Sequence, residues 1–234
     1  MDNLDQIQII KQGLTSWLLW REQYPHISIE LREAELEDLD LQSILLVKAN
    51  LVRANLVNCN LNNAILIGCD LTLARLKDSS LVKANLEGAN LICADLSQCN
   101  LTQANLSSAN MIATNLRNSL LRRASLNLAL LQRSNLTGAN LVAANMAEAD
   151  LRGANLYESE LIGAYLYKAN LSGVKAVNCH LNKANLVKAN LTGADLTGAD
   201  LRWSDLRGAC LEGANLKGVD LDGALLDHNS FSKP

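Results

Sequence analysis

Aromatic residues make up only 3% of this 234-residue chain, while 49% of it is apolar. A globular core is rarely built with so few rings, so the interior must be tiled with Leu and Ala. No stretch holds eighteen uninterrupted apolar residues, which excludes a membrane-spanning helix of ordinary length. The net charge of −3 is too mild for nonspecific nucleic-acid binding or a strongly acidic partner role. Asp2 and Asp5 stand where a secretory leader carries basic residues, and no small-residue cleavage site follows. Reactive constellations are scarce too. His26, His180 and His228 are far apart, and no glycine loop that would cradle a phosphate precedes a helix. The expectation is a protein that is not an enzyme, with no cofactor, no metal and no nucleic-acid partner.

What the chain has instead is a period of five. Leu181 to Asp200 reads LNKANLVKANLTGADLTGAD, and the register set there runs without a slip from Leu31 to Phe231. Leu fills 37 of the 41 slots; Met111, Met146, Ala176 and Phe231 fill the others. Two residues before each slot the chain carries Ala, Ser, Thr or Cys in 35 of 41 cases, the departures being Ile29, Leu39, Ile44, Val174, Val219 and Asn229. One residue before it, 25 of 41 are Asn or Asp. On a helix a step of five spirals around the axis and defines no face, and on a straight strand it changes sides each time. Each unit must therefore bend. A short extended piece puts the small residue and the Leu inside with Asn/Asp outside, and the remaining two residues turn a corner. Three or four sides per turn satisfy this alternation equally.

Units such as LEGAN, LTGAD, LRGAN and LKGVD resemble the pentapeptide-repeat family, whose unit is written A(D/N)LXX, over roughly residues 29–230. The resemblance implies an all-β solenoid: a right-handed quadrilateral β-helix of four units per coil and about ten coils. It also implies division into an N-terminal helical cap and linker (1–28), the repeat β-helix (29–230) and a C-terminal tail (231–234). The segment Trp17-Leu-Leu-Trp20-Arg21 followed by Pro25 is similar to the lead-in of many cyanobacterial members, which supports a cap. In residues 2–24, Leu4, Ile7, Leu14, Trp17 and Leu18 recur at helical spacing, with Asp2 or Asn3 able to cap the start and Pro25 to stop it. The larger inward residues Ile29, Leu39 and Ile44 suit a lid docked on the first coil.

Cysteines and surface complete the reading. Cys59, Cys69, Cys99 and Cys179 take the small inward slot, while Cys93 and Cys210 fall outside. Cys59 and Cys99 share a side but lie two coils apart, too far for a bridge, so free buried thiols in a reducing, cytoplasmic setting are expected. Gly at the corners 193, 198, 208, 213, 218 and 223 predicts tighter, more uniform turns in the C-terminal half than in the N-terminal half. Leu45, Val47, Ile65 and Ile67 stand on outward positions of adjacent coils and form an exposed apolar patch, to be covered either by the N-terminal helix and its linker or by a partner, with Tyr165 and Tyr167 on the same side beside Val187 as a second candidate contact. Arg117, Arg122, Arg123 and Arg133, with Leu120, Leu128 and Leu130, spread over several sides and do not form a nucleic-acid stripe. Phe231 could plug the last coil, and a homodimer through the C-terminal coils would cover its open edge. The expected function is a non-catalytic interaction or scaffold rod with an unknown protein partner. The alternative implied by the resemblance to quinolone-resistance pentapeptide proteins is a DNA-mimicking, gyrase-binding rod.

Overall fold

The computed structural model describes residues 3–227; the sequence expectations for Asp2, His228, Asn229 and Phe231 fall outside that range. Two short helices come first, α1 (Asn3–Lys11) and α2 (Leu14–Gln23). They replace the single helix expected over 2–24. The break is at Gly13, whose φ of 100° lies in the region that favours glycine and cannot continue a helix.

Beyond residue 29 the backbone repeats one pattern. Parallel bridges join each residue before a Leu slot to the residue twenty later, from Glu30↔Asn50 to Asp205↔Leu225. Twenty residues per turn of the coil, with one corner every five, makes four sides and rules out the three-sided winding. We number the sides by their first Leu slot: side one carries Leu31, side two Leu36, side three Leu41 and side four Leu46.

The five amides of a unit each find an acceptor. The Leu51 amide donates to the Asp70 carbonyl (2.7 Å), Arg53 to Thr72 (2.9 Å), Ala54 back to Leu51 (2.9 Å), and Asn55 to Ala34 in the preceding coil (2.9 Å). The ladder leaves over the amide of Val52, and the Asn50 Oδ1 accepts it at 3.2 Å. That is why Asn or Asp recurs one residue before Leu: its side chain closes the one backbone donor the coil itself does not use. These side chains also bond one another from coil to coil, as where Asn105 Nδ2 donates to Asn85 Oδ1 (3.2 Å).

Leu and the small residue fill the interior, almost all at 0–3% exposure. Inward hydroxyls and thiols donate to carbonyls: Ser79 Oγ to Leu56 (2.6 Å), Thr114 Oγ1 to Leu91 (2.7 Å) and Cys99 Sγ to Leu76 (2.8 Å). Ala176 and Val174 are both buried at 1%, so the larger valine stands inside where the Leu column is interrupted.

The corners correct one expectation. Every corner residue from Glu33 to Gly223 has positive φ, non-glycines at 52–62° and glycines at 62–70°. The halves do not differ. A bond from the residue after the corner back to the Leu carbonyl, as from Ala34 to Leu31 (3.1 Å), closes most bends as turns with φ > 0 at the third residue; at the Asn58 corner the Cys59 amide donates to Ser79 Oγ (3.0 Å) instead. The ladder imposes that conformation whatever side chain is present.

The helices pack on the first coil. Ile10, Trp17 and Trp20 are buried in one cluster with Ile29 and Ile44, and Ile7, Leu14 and Leu39 pack partly against it. Leu18, expected on the apolar face, is instead 39% exposed. Trp17 and Trp20 pack with ring centroids 4.9 Å apart and planes tilted by 31°, and the Arg21 guanidinium lies 5.3 Å over the Trp20 ring. Arg21 Nη1 also donates to the Ile27 carbonyl at 2.8 Å and Nη2 to Pro25 at 3.1 Å, which ties the helix end to the linker.

Candidate functional site

The outward positions decide what the rod can touch. Where Asn or Asp precedes Leu, the unit's leftover amide is closed; where an apolar residue replaces it, that bond is forfeited. On side four Leu45 and Ile65 make this substitution, and the amides of Val47 and Ile67 then have no acceptor among the described residues. Leu45↔Ile65 bridge one another directly. Leu45 and Val47 are 41% and 44% exposed, and Ile65 and Ile67 are half-buried. The four form an apolar square across two coils. Trp17 Nε1 donates to the Leu45 carbonyl at 2.9 Å, so α2 reaches the backbone here and leaves the Leu45 and Val47 side chains in solvent.

Tyr165 and Tyr167 stand on the same side, five coils beyond Ile65 at about 24 Å by the inter-strand spacing. Their rings stack at 6.1 Å and 18°, with the Lys168 ammonium 5.3 Å over Tyr167. Tyr165 is exposed, while Tyr167 and its expected neighbour Val187 are half-buried. Tyr165 also takes the place of an Asn, and the Tyr167 amide is unmatched among the described residues. The two apolar spots on side four are thus built by the same device but remain separate. Residue order alone locates these side chains; the forfeited amides become visible only with the bonding pattern.

Among the described residues the groups that could react stand apart from one another. Cys179 is buried and His180 exposed, on opposite sides of the wall. Among the described residues no three of His, Cys, Asp and Glu are placed to hold a metal ion. All six cysteines are free. Burial pushes the Cys59 thiol up to about 11 and those of Cys69, Cys99 and Cys179 to about 12, far from the thiolate a nucleophile needs. A shallow hollow of about 420 Å³ on side two, lined by Tyr157, Gly173, Lys175, Val177, Gly193 and Asp195 among others, gathers no catalytic set. Arg202 and Arg207 each clasp the Asp two residues earlier at 2.6–2.7 Å, and those hydrogen bonds hold the Asp200 and Asp205 carboxyls below the usual range. Among the described residues no helix is long and apolar enough to cross a membrane.

Comparison with known proteins agrees with this geometry. The family description "Pentapeptide repeats" matches the chain in eight copies, with stretches at 34–72, 69–107, 109–147, 177–213 and 204–233 among them. HetL, a pentapeptide repeat protein involved in heterocyst differentiation regulation from the cyanobacterium Nostoc sp. strain PCC 7120, is 32% identical, with 89% of this chain and 92% of HetL covered and a TM-score of 0.50. Rfr23 from the cyanobacterium Cyanothece 51142 is 39% identical over 42% of this chain and 64% of its own, with a TM-score of 0.28. QnrB1 in a trypsin-treated form, a plasmid-mediated fluoroquinolone resistance protein, is 19% identical over 86% of this chain and 92% of its own, with a TM-score of 0.47. Comparison with curated proteins gives no match. The repeat pattern covers most of the chain, and the chain belongs to the pentapeptide-repeat family, whose members fold as right-handed quadrilateral β-helices.

Proposed function

We propose that the protein is a non-catalytic interaction rod of the cytoplasm, about ten coils long and capped by its helical pair, which holds a protein partner on side four. The contact is the apolar square of Leu45, Val47, Ile65 and Ile67, with Tyr165 and Tyr167 as a second anchor. One observation carries this reading. At Leu45 and Ile65 the chain gives up the Asn or Asp that closes a backbone donor, which weakens the coil, and sets apolar surface beside two unmatched amides. A substitution that costs stability and exposes Leu is explained by what it binds. HetL is described as involved in the regulation of heterocyst differentiation, in keeping with an interaction role.

The end of the rod supports a second contact. Leu216, Val219, Leu221 and Leu226 occupy interior slots yet are only half-buried, the surface expected to be covered in a homodimer through the C-terminal coils. A strict monomer in solution would count against that contact. Mimicry of duplex DNA, the other role implied by family resemblance, requires dense acids along the rod. Residues 96–147 contain no Asp or Glu and four Arg, which favours the interaction rod.

Affinity capture from the native lysate with wild-type protein and with Ile65→Asp/Ile67→Asp tests the proposal. A captured protein lost from the variant at unchanged melting temperature supports it. Capture unchanged by the variant overturns it.

A further inference from the structure

We propose a second docking surface, a belt around the middle of the rod that takes an extended, acidic and partly apolar segment of a partner protein. The inference rests on the interaction-rod reading but uses different residues. Between residues 96 and 147 the only charged side chains are Arg117, Arg122, Arg123 and Arg133. All four are exposed, and none has an acidic partner among the described residues.

This differs from the arginines at equivalent positions elsewhere. Arg152, Arg202 and Arg207, one residue after Leu, each pair with an Asp one residue before it at 2.6–2.7 Å. For Arg117 that position holds Asn115, and for Arg122 it holds Leu120. At the corners, Arg53 pairs with Glu33 one coil earlier at 3.4 Å. Arg123 has Gln103 and Ala143 there, and Arg133 has Ala113 and Gly153. The belt therefore carries four guanidinium groups with their carboxylates missing.

The leucines say what else the occupant brings. Leu120, Leu128 and Leu130 interleave with the arginines at outward positions and are 43%, 52% and 38% exposed. Leu120 and Leu130 each replace the Asn or Asp of their unit, and the amides of Arg122 and Gln132 have no acceptor among the described residues. Carboxylates, apolar side chains and backbone carbonyls are all offered a place. Within one coil the sites pass from side two at Arg117, across side three at Leu120 and Arg122, to side one at Leu130 and the Arg133 corner. A chain that lies across the rod and bends round it meets them all, whereas a flat lipid surface or a straight duplex meets one side only. No aromatic side chain is present in residues 96–147 on which bases would stack.

The test uses a short labelled peptide in which glutamates and leucines are spaced by glycine, titrated into the full chain. Arg122→Gln/Arg123→Gln is expected to weaken binding about tenfold, and Arg202→Gln/Arg207→Gln, which removes the same charge, to change it less than about twofold. Leu120→Asn separates docking from folding: it should raise the melting temperature by restoring the Arg122 amide bond, and still weaken the peptide. Equal losses in the two arginine variants would overturn the proposal. So would tighter binding of a single-stranded oligonucleotide or of phosphatidylglycerol vesicles, or a wild-type dimer that Arg122→Gln/Arg123→Gln dissolves. If the peptide fails while Ile65→Asp/Ile67→Asp still loses its captured protein, the belt is wrong and the rod reading stands.

Discussion

The side-chain amide of Gln6 bonds the first coil on both its atoms: Oε1 accepts the Glu30 amide at 2.9 Å and Nε2 donates to the Ser28 carbonyl at 3.0 Å. In every later coil the equivalent amide pairs with the backbone one coil earlier, as Asn50 does with Ile29 at 2.8 Å. Trp17 does the same for the Leu45 carbonyl, which in later coils is the acceptor of a Leu amide. Gln6 and Trp17, 1% and 0% exposed, thus stand in for the coil that does not precede Ile29, and they blunt a strand edge that would otherwise template association.

Gln6→Met keeps the length of the side chain and removes both bonds. It should destabilise the docked helices by about 1–3 kcal/mol, the cost of stranding buried polar groups. Hydrogen exchange will show it as faster exchange at the Glu30 amide with no change at Asn110. Equal protection at Glu30 in both proteins would mean that the apolar cluster alone holds the helices.

Corner substitutions should run against ordinary glycine rules. Ala113 sits at φ 56°, and Gly193 sits at φ 65° with open space where a Cβ would stand. Ala113→Gly relieves left-handed strain of about 1–2 kcal/mol against a glycine entropy cost of about 0.5–1 kcal/mol, so melting should be unchanged or slightly higher. Gly193→Ala should lower it. At Gly223 the cost will be greater, because a Cβ there would meet the Trp203 ring of the preceding coil at 2.7 Å or closer.

Thiol labelling reads the interior directly. Of six cysteines, only exposed Cys93 and, more slowly, half-buried Cys210 should react in the native protein near pH 8. The four inward thiols should react only after unfolding, since burial both shields them and raises their pKa.

Acid sensitivity has a defined sign. The Asp200 and Asp205 carboxyls are held low by hydrogen bonds from Arg202 and Arg207. A carboxyl lowered in the folded state contributes stability above its unfolded value, and that contribution is lost as pH falls through the folded one. Melting temperature should therefore drop below about pH 4, and drop less steeply in Arg202→Gln/Arg207→Gln. The pairs are largely exposed, so the difference will be small.

Much of this architecture can be read from residue order. A leucine at every fifth place with a small residue two before it specifies an inside and an outside, and each inward cysteine expected from that register is buried. Four sides instead of three could not be read, because the count depends on pairing over twenty residues and not on any local preference. Nor could the role of Gln6, since a polar residue on a short helix looks like a solvated one until its long-range partners are known. The corner glycines misled because they signal a preference, while the ladder enforces the same turn on Lys83 and Arg123. The surface patches were legible as apolar interruptions, but their cost became apparent only once the Asn and Asp side chains were seen closing the amide of the residue two on.

The winding itself is open to one direct measurement. Spin labels at Lys83 and Lys183, on exposed corners of the same edge, with Cys93 and Cys210 replaced, are separated by five coils. A narrow distance distribution near 24 Å between their backbones is the expected result, widened only by the label arms. A broad distribution, or one centred beyond about 40 Å, would contradict a tube that returns to the same edge every twenty residues.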